Sequence, residues 1–280
     1  MTPAAEDWVA EVEAIGTLPA IFHELNTALA DPRTSLDRVG EIIEADVDLT
    51  ARLVRIANSP FYGFPNRIET IVEATTLIGL EQIRDLAAAT MVLEFFQGVP
   101  SALLDLESFW QHSLACGISA RVLACQRRNS QPERFFLAGL LHDVGRLVIC
   151  LRAPEQLSAV FARRDATGQT LRETEASVFG VDHAEIGGAL LEFWRFPAAI
   201  ADTVRWHHAP GESAGHPVEA SLIHVADIFA HSLELGASGE PAPPTLEMSA
   251  WNRLNLGTSS LRSAVDEVDR QFDDAISLFI

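Results

Sequence analysis

Along most of this chain the apolar positions recur every three or four residues, the period of a helix with one buried face. Trp8, Val9 and Val12 predict a short amphipathic helix within residues 1–14. Leu18-Pro19 starts a second, carrying Ile21, Phe22, Leu25, Ala28 and Leu29, and Asp31-Pro32 ends it. Ser35 is placed to cap a third, with Leu36, Val39, Ile42 and Ile43 on its apolar face. Asp48 or Thr50 opens a fourth through Leu53, Val54 and Ile56, which stops at the turn signal Asn58-Ser59-Pro60. An aromatic loop, Phe61-Tyr62-Gly63-Phe64-Pro65, leads to helices over 71–77 and 80–96.

Gly98-Val99-Pro100-Ser101 is the expected boundary. Beyond it, residues 109–125 form a helix rich in small side chains, and Phe135 to Leu151 (FFLAGLLHDVGRLVICL) reads as one continuous apolar helix. Two more cover 154–164 and 171–179. Asp182-His183-Ala184-Glu185 has the form of a capping box, which puts His183 in the first turn of a helix ending near Trp194. Pro197 opens the next helix, with His207-His208 at its end, and residues 219–235 form another. Gly236 to Pro244 reads as a linker. A last stripe of Leu261, Val265, Val268, Phe272, Ile276 and Phe279 follows. No strand pattern or internal repeat is evident, so the expected fold is all-α. Its expected parts are a helical lobe over 1–100, a second over 101–236 and an extension over 245–280.

With 48% apolar and 21% charged residues, the 280-residue chain can bury a proper core. No run approaches the ~18 apolar residues of a membrane span. The acidic start, MTPAAEDWVAEVEAIG, lacks the features of a signal peptide, so a cytoplasmic protein off the membrane is expected. Cys116, Cys125 and Cys150 lie in helical patterns without CxxC spacing and read as reduced core residues. A net charge of −19 works against nucleic-acid binding, and the pairs Arg127-Arg128 and Arg163-Arg164 read as solvated helix faces. A bound cation would offset that charge locally and leave an anionic small molecule admissible.

His142 and Asp143 change the picture, because they sit side by side within the apolar run. Burying both costs several kcal/mol unless they are paired or bound to metal. Gly139 and Gly145 add about 1 kcal/mol each against Ala, and both allow a helix or an ion to approach closely. His112, His183, His207, His208 and Asp227 also lie in or beside apolar helices. Helical bundles build metal sites from such inward side chains. Histidine and carboxylate without thiolate suit Fe, Mn, Zn or Ni, and the two oxygens of Asp143 could bridge two ions. His224 and His231 share the helix face of Asp227 and read as surface residues, support of the aspartate being the alternative. Cys116 reads as core packing and His23 as a surface residue. The aromatic loop reads as a contact patch or as a plug between the lobes.

The series His112, His142-Asp143 and Asp227 resembles the H…HD…D signature of the HD superfamily of metal-dependent phosphohydrolases. The runs LPAIFHEL, VGEIIEADVDLTARLVRIANSPFYG, IVEATTLIGLEQIRDLA, FWQHS, LAGLLHDVGRLV, FGVDHAEIGGALLEFWRFP and WHH narrow it. Over residues 15–235 the chain resembles the HDOD family, the HD-related output domains of bacterial signalling proteins. Asp46-Val47 departs from the family's Asp-Pro, expected there to shape a turn. The resemblance implies an HD-type bundle with a helical N-terminal lobe packed on an HD-like lobe. It implies a first metal site of His112, His142, Asp143 and Asp227. His183, His207 and His208 match further ligands of the related HD-GYP cyclic di-GMP phosphodiesterases. A divalent metal follows, Fe or Mn foremost, as a mononuclear or dinuclear centre.

Two departures argue against that activity. Arg146 stands where the HD-GYP enzymes carry lysine. It keeps its charge and cannot donate a proton near neutral pH, though it could clamp a phosphate. After His207-His208 the charged residues of the enzymes are replaced by Ala209-Pro210, and the register of Gly215-His216-Pro217 with Gly-Tyr-Pro reads as coincidence. The expectation is therefore a regulatory module that engages other signalling proteins. The alternative is an active phosphohydrolase in which Asp143 and Arg146 serve catalysis on a phosphate-containing small molecule. No receiver-domain pattern lies within the chain.

Overall fold

In the computed structural model all regular structure is helical. Residues 5, 7–10, 18–31, 33–99, 104–127, 132–257 and 261–280 are described, and no strand occurs among them. Val12 of the first expected helix, Pro32, the boundary residues Pro100-Ser101, and Arg128 lie outside the described residues. The chain divides into two compact units, one of Met1–Thr17 and Gly98–Val268, the other of Leu18–Gln97 and Asp269–Ile280.

The smaller unit begins with α1 (Ala20–Ala30), α2 (Leu36–Glu44) and α3 (Val47–Ala57). Ser35 caps α2 by accepting from the Arg38 amide, and Val39, Ile42 and Ile43 are buried as the period requires. α3 starts earlier than expected, because Asp46 takes the capping role by accepting from the Asp48 and Leu49 amides. Val47 is thus the first helical residue. An Asp-Pro pair at this place would be a cap followed by proline at its favoured position, not a turn. Asn58 then pins the aromatic loop: its Nδ2 donates to the Val54 and Ile68 carbonyls and its Oδ1 accepts from the Ile68 amide, all at 2.8 Å. Phe61 is buried, while Tyr62 and Phe64 stack half-buried. α4 (Ile71–Ile78) and α5 (Leu80–Phe95) complete the set.

The larger unit is built on α6 (Leu106–Gln126), buried on most of its surface except at its end, where Cys125 is exposed and not a core residue. The expected single helix over 135–151 is two: α7 (Glu133–Leu141) and α8 (Val144–Arg152), broken at His142-Asp143. Apolar residues surround both halves, so no change of period betrays the break. Gly139 packs on Gly117 of α6; a Cβ there would stand 2.7 Å from the Gly117 Cα. A Cβ on Gly145 would collide with the His183 carbonyl, so α8 touches the following α11 backbone to backbone.

α9 (Pro154–Thr167) and α10 (Leu171–Phe179) lead to α11 (His183–Phe193), which opens with the expected Asp182/Glu185 capping box. α12 (Ala198–Arg205) and α13 (Pro217–Ser232) follow. Gly215-His216-Pro217 starts α13, with Pro217 in its first turn. α14 (Met248–Leu254) and α15 (Leu261–Phe279) end the chain. The buried stripe of α15 is Ala264, Val268, Phe272, Ala275 and Phe279, turned slightly from the expected one.

Residues 236–247 are not a loose linker. The Ala237 amide donates to the Ser108 carbonyl at 3.0 Å, and Glu240 accepts from the Leu171 amide at 2.8 Å. Arg164, expected in solvent, donates to the Gly239 carbonyl. This segment is a strap fastened to the larger unit.

Candidate metal centre

All seven expected ligands converge inside the larger unit, contributed by α6, the α7–α8 break, α11, the end of α12 and α13. His112, His142, His183 and His207 are fully buried, Asp143 and Asp227 nearly so, and His208 is half-buried. His112 Nε2 is 3.1 Å from Asp227 Oδ1, and His142 Nε2 is 3.6 Å from the same oxygen and 3.4 Å from Asp143 Oδ2. On the other side of Asp143, Oδ1 faces His183 Nε2 at 3.1 Å and His207 Nε2 at 3.7 Å. His208 Nε2 lies 2.9 Å from His183 Nε2. The helix break is what lets one carboxylate address both groups, because it turns Asp143 out of the helical register without engaging it as a cap.

Three of the histidines are oriented by their far nitrogens. His142 Nδ1 donates to the Gly139 carbonyl and His207 Nδ1 to the Val204 carbonyl, each at 2.7 Å. His183 Nδ1 meets the Glu175 carboxylate at 2.5 Å, and the same oxygen accepts from the His183 amide at 3.0 Å. Since a carbonyl only accepts, Nδ1 of His142 and of His207 carries a proton, and Nε2 is the atom that faces the centre. An oxygen behind the ring, as these three have, is the usual support of a metal-ligating histidine.

Several of these atoms are left without a hydrogen bond. His142 Nε2, His207 Nε2 and Asp143 Oδ1 are all buried and lack a partner of bonding geometry among the described residues. Buried polar atoms are rarely orphaned, and here they point at a common centre. Two ligand atoms each about 2.1 Å from one ion stand roughly 3 to 4.2 Å apart, the range spanned by the distances above. The residues therefore fit one or two divalent cations.

The electrostatics agree. Burial pushes the carboxyl of Asp143 up, but Arg146 and His142 outweigh it and hold the group well below the usual range. Asp227 stays low against burial through hydrogen bonds from His112 and His142. Burial and Arg146 press His183 down, yet Glu175 and Asp143 raise it to about 9. His142 is raised against burial by Asp143. Burial, then the charge of His142, drives His207 down to about 3, and burial with His207 lowers His208. Two anionic carboxylates thus draw protons onto two imidazoles that a divalent cation would displace.

Arg146, expected as a possible phosphate clamp, is buried and turned to the strap. Its Nη1 donates to the Ser238 carbonyl at 2.5 Å and hydroxyl at 2.9 Å, and stands 3.3 Å from Asp143 Oδ2. Nη2 is 3.4 Å from His183 Nε2 and 3.9 Å from Glu240 Oε1. A cleft of about 440 Å3 reaches His208 from outside; it is lined by Thr170, Arg172, Glu173, Glu240 and Glu247.

Four residues around the centre escaped the sequence reading. Glu175 lies in LRETEASVF, where nothing separates it from its solvated neighbour Glu173. Ser238 sits in a stretch whose composition reads as a spacer. His224 and His231, read as surface residues, are buried and nearly buried. The difference arises because the strap covers their face of α13. His224 donates from Nδ1 to the His207 carbonyl and accepts the Glu247 amide at Nε2, both at 3.0 Å, so both nitrogens are engaged. Cys116 is fully buried and burial pushes its thiol up, in keeping with core packing.

The comparisons with known proteins agree with this architecture. A family model described as the HDOD domain matches residues 15–210, and the chain belongs to the HDOD family. An HDOD domain protein from Geobacter sulfurreducens is 26% identical; the match covers 95% of this chain and 97% of that one, with a TM-score of 0.74. A Shewanella amazonensis SB2B protein provisionally named a phosphohydrolase shares the fold at 22% identity and a TM-score of 0.77, over 98% of each chain. A curated protein of Treponema pallidum (strain Nichols) is 27% identical over 201 residues, which are 70% of this chain and 38% of that protein. The chain therefore spans well under half the length of that relative. No helix among the described residues is long and apolar enough to cross a membrane.

Proposed function

We propose that this chain is a regulatory output module of bacterial signalling that carries a divalent metal centre and engages other signalling proteins. His112, His142, Asp143 and Asp227 would hold one ion, and Asp143, His183, His207 and His208 would hold a second. Such ions, when bound, neutralise phosphate charge and lower the pKa of a bound water. Fe or Mn suits a centre of imidazole and carboxylate.

The observation that carries the regulatory reading is the state of Arg146. A cation that could neutralise a substrate phosphate is instead buried against the Ser238 carbonyl and Asp143. The cleft to His208 presents Glu173, Glu240 and Glu247 against Arg172, itself 2.6 Å from Asp182. That lining opposes an anionic phosphodiester. In this reading the metal fixes the relation of α6, α8, α11 and α13, and its occupancy sets the shape of the surface offered to a partner.

A second reading, a metal-dependent phosphodiesterase, is favoured by the complete set of ligands, with Asp143 and Arg146 as its catalytic groups. Protein loaded with Fe2+ or Mn2+ and assayed on cyclic dinucleotides and on bis(p-nitrophenyl) phosphate separates the two. The expected result is retained metal without hydrolysis. Turnover that Asp143→Ala abolishes would establish the second reading.

A further inference from the structure

His231 stands at the edge of the centre and has no role in either set of ligands. It lies one helical turn beyond Asp227 on α13, with Nε2 3.6 Å from Asp227 Oδ1. Its ring centroid is 4.4 Å from that of His112. Ligand atoms of His112, Asp227 and His231 all fall within 4.8 Å of one another. A separation of 3.6 Å is too long for a hydrogen bond to the carboxylate. It is the separation expected of two neighbouring ligands around one cation, about 3 to 4.2 Å.

The surroundings of His231 are built. After α13 the chain reverses through Glu234 and Gly236, both with positive φ, of 55° and 78°. Gly236 lies against the His112 amide and the Ser108 carbonyl so closely that a Cβ would collide with both. Only glycine meets both demands. The strap that follows brings the Ser238 hydroxyl to 3.5 Å from His231 Nε2, at the outer limit of a hydrogen bond, while that hydroxyl already accepts from Arg146 at 2.9 Å. His224, on the same face, has both nitrogens taken by backbone groups; His231 does not share that fate and its Nε2 faces Asp227 and His112.

We propose that His231 is a further ligand of the metal centre, coordinating through Nε2 the ion that His112 and Asp227 hold. The inference rests on the metal reading above and extends it by one residue. It adds an imidazole to the end of the centre remote from His208 and couples the strap to metal occupancy through Ser238.

The test uses Co2+ as the probe on the full chain, with affinity measured by chelator competition and the ligand field by visible absorption. His231→Ala is expected to weaken one equivalent of Co2+ by at least about tenfold and to change the d–d spectrum, with the other equivalent unaltered. His231→Asn, which keeps the fold if the alanine variant does not, is expected to do the same. Added imidazole should restore the spectrum of His231→Ala. Ser232→Ala, at an exposed neighbour on α13 whose hydroxyl donates to the Ile228 carbonyl, should leave both equivalents near wild type. Wild-type affinity and spectrum in the His231 variants would overturn this inference while leaving the metal reading intact. A wild-type chain that takes up no Co2+ would overturn both.

Discussion

The two units of this molecule bury polar groups in opposite ways. In the smaller unit they are few, and four of them are satisfied by residues close in sequence. Ser59 donates to the Ile56 carbonyl, Thr75 to Ile71, Thr90 to Leu86, and Asp85 pairs with the adjacent Arg84. In the larger unit His112, His142, Asp143, Arg146, Glu175, His183, His207 and Asp227 are buried together, and some of their atoms lack a hydrogen bond among the described residues. The first pattern is that of a scaffold, in which polar atoms follow the backbone. The second concentrates unfavourable burial at one point, which a bound cation would relieve. Function is legible in that contrast.

Asp143→Ala should break it most severely. It removes the acid shared by both halves of the centre and leaves Arg146 and the raised histidines without their counter-charge. We expect loss of all bound metal and about 3–5 kcal/mol of stability, read by elemental analysis and chemical denaturation. Leu53→Ala is its counterpart in the smaller unit. A cavity in that core should cost about 2–5 kcal/mol and leave metal content unchanged. Equal metal loss in both variants would mean that the contrast is false.

Glu175→Gln sharpens the picture at the second ion. The amide can no longer serve the His183 ring as an anionic acceptor, and metal affinity should fall about 10- to 100-fold with the fold retained. The pH dependence follows from the same residue. His183 titrates near 9 in the ion-free protein, so below that value it carries a proton that metal uptake must expel. Apparent affinity should fall as pH is lowered through this range, by about tenfold per pH unit for each proton displaced. Calorimetry in buffers of different ionisation enthalpy would register the released protons.

The smallest effect belongs to the smaller unit. Val47→Pro places proline at the first position of α3, behind Asp46, whose φ of −114° and ψ of 108° suit a residue preceding proline. A gain of about 0.4–1 kcal/mol in denaturant melts is expected, with no change in metal content.

What the sequence disclosed and what it hid have physical reasons. The capping box at Asp182 and the ends of α10 are local, written in residues three apart. The ligand set could be proposed because histidine and aspartate are conspicuous in apolar helices and because their order resembles the HD series. The break at His142-Asp143 was hidden because α7 and α8 are apolar on every side, so no periodicity changes across it. Glu175 was hidden because burial of an acid beside a distant histidine is a tertiary fact. The strap was misread because Gly, Ser and Pro describe a linker and a tightly seated turn equally well. Its seating buries His224 and His231, and so the misreading of one segment carried over to the other.

The central claim is that orphaned nitrogens and a shared carboxylate in the larger unit meet around divalent cations. Elemental analysis of the purified chain, incubated with Fe2+ or Mn2+ and then desalted, tests it most directly. The account predicts two ions per wild-type chain and none in Asp143→Ala. A wild-type chain that emerges without metal, folded and no less stable for it, would contradict it.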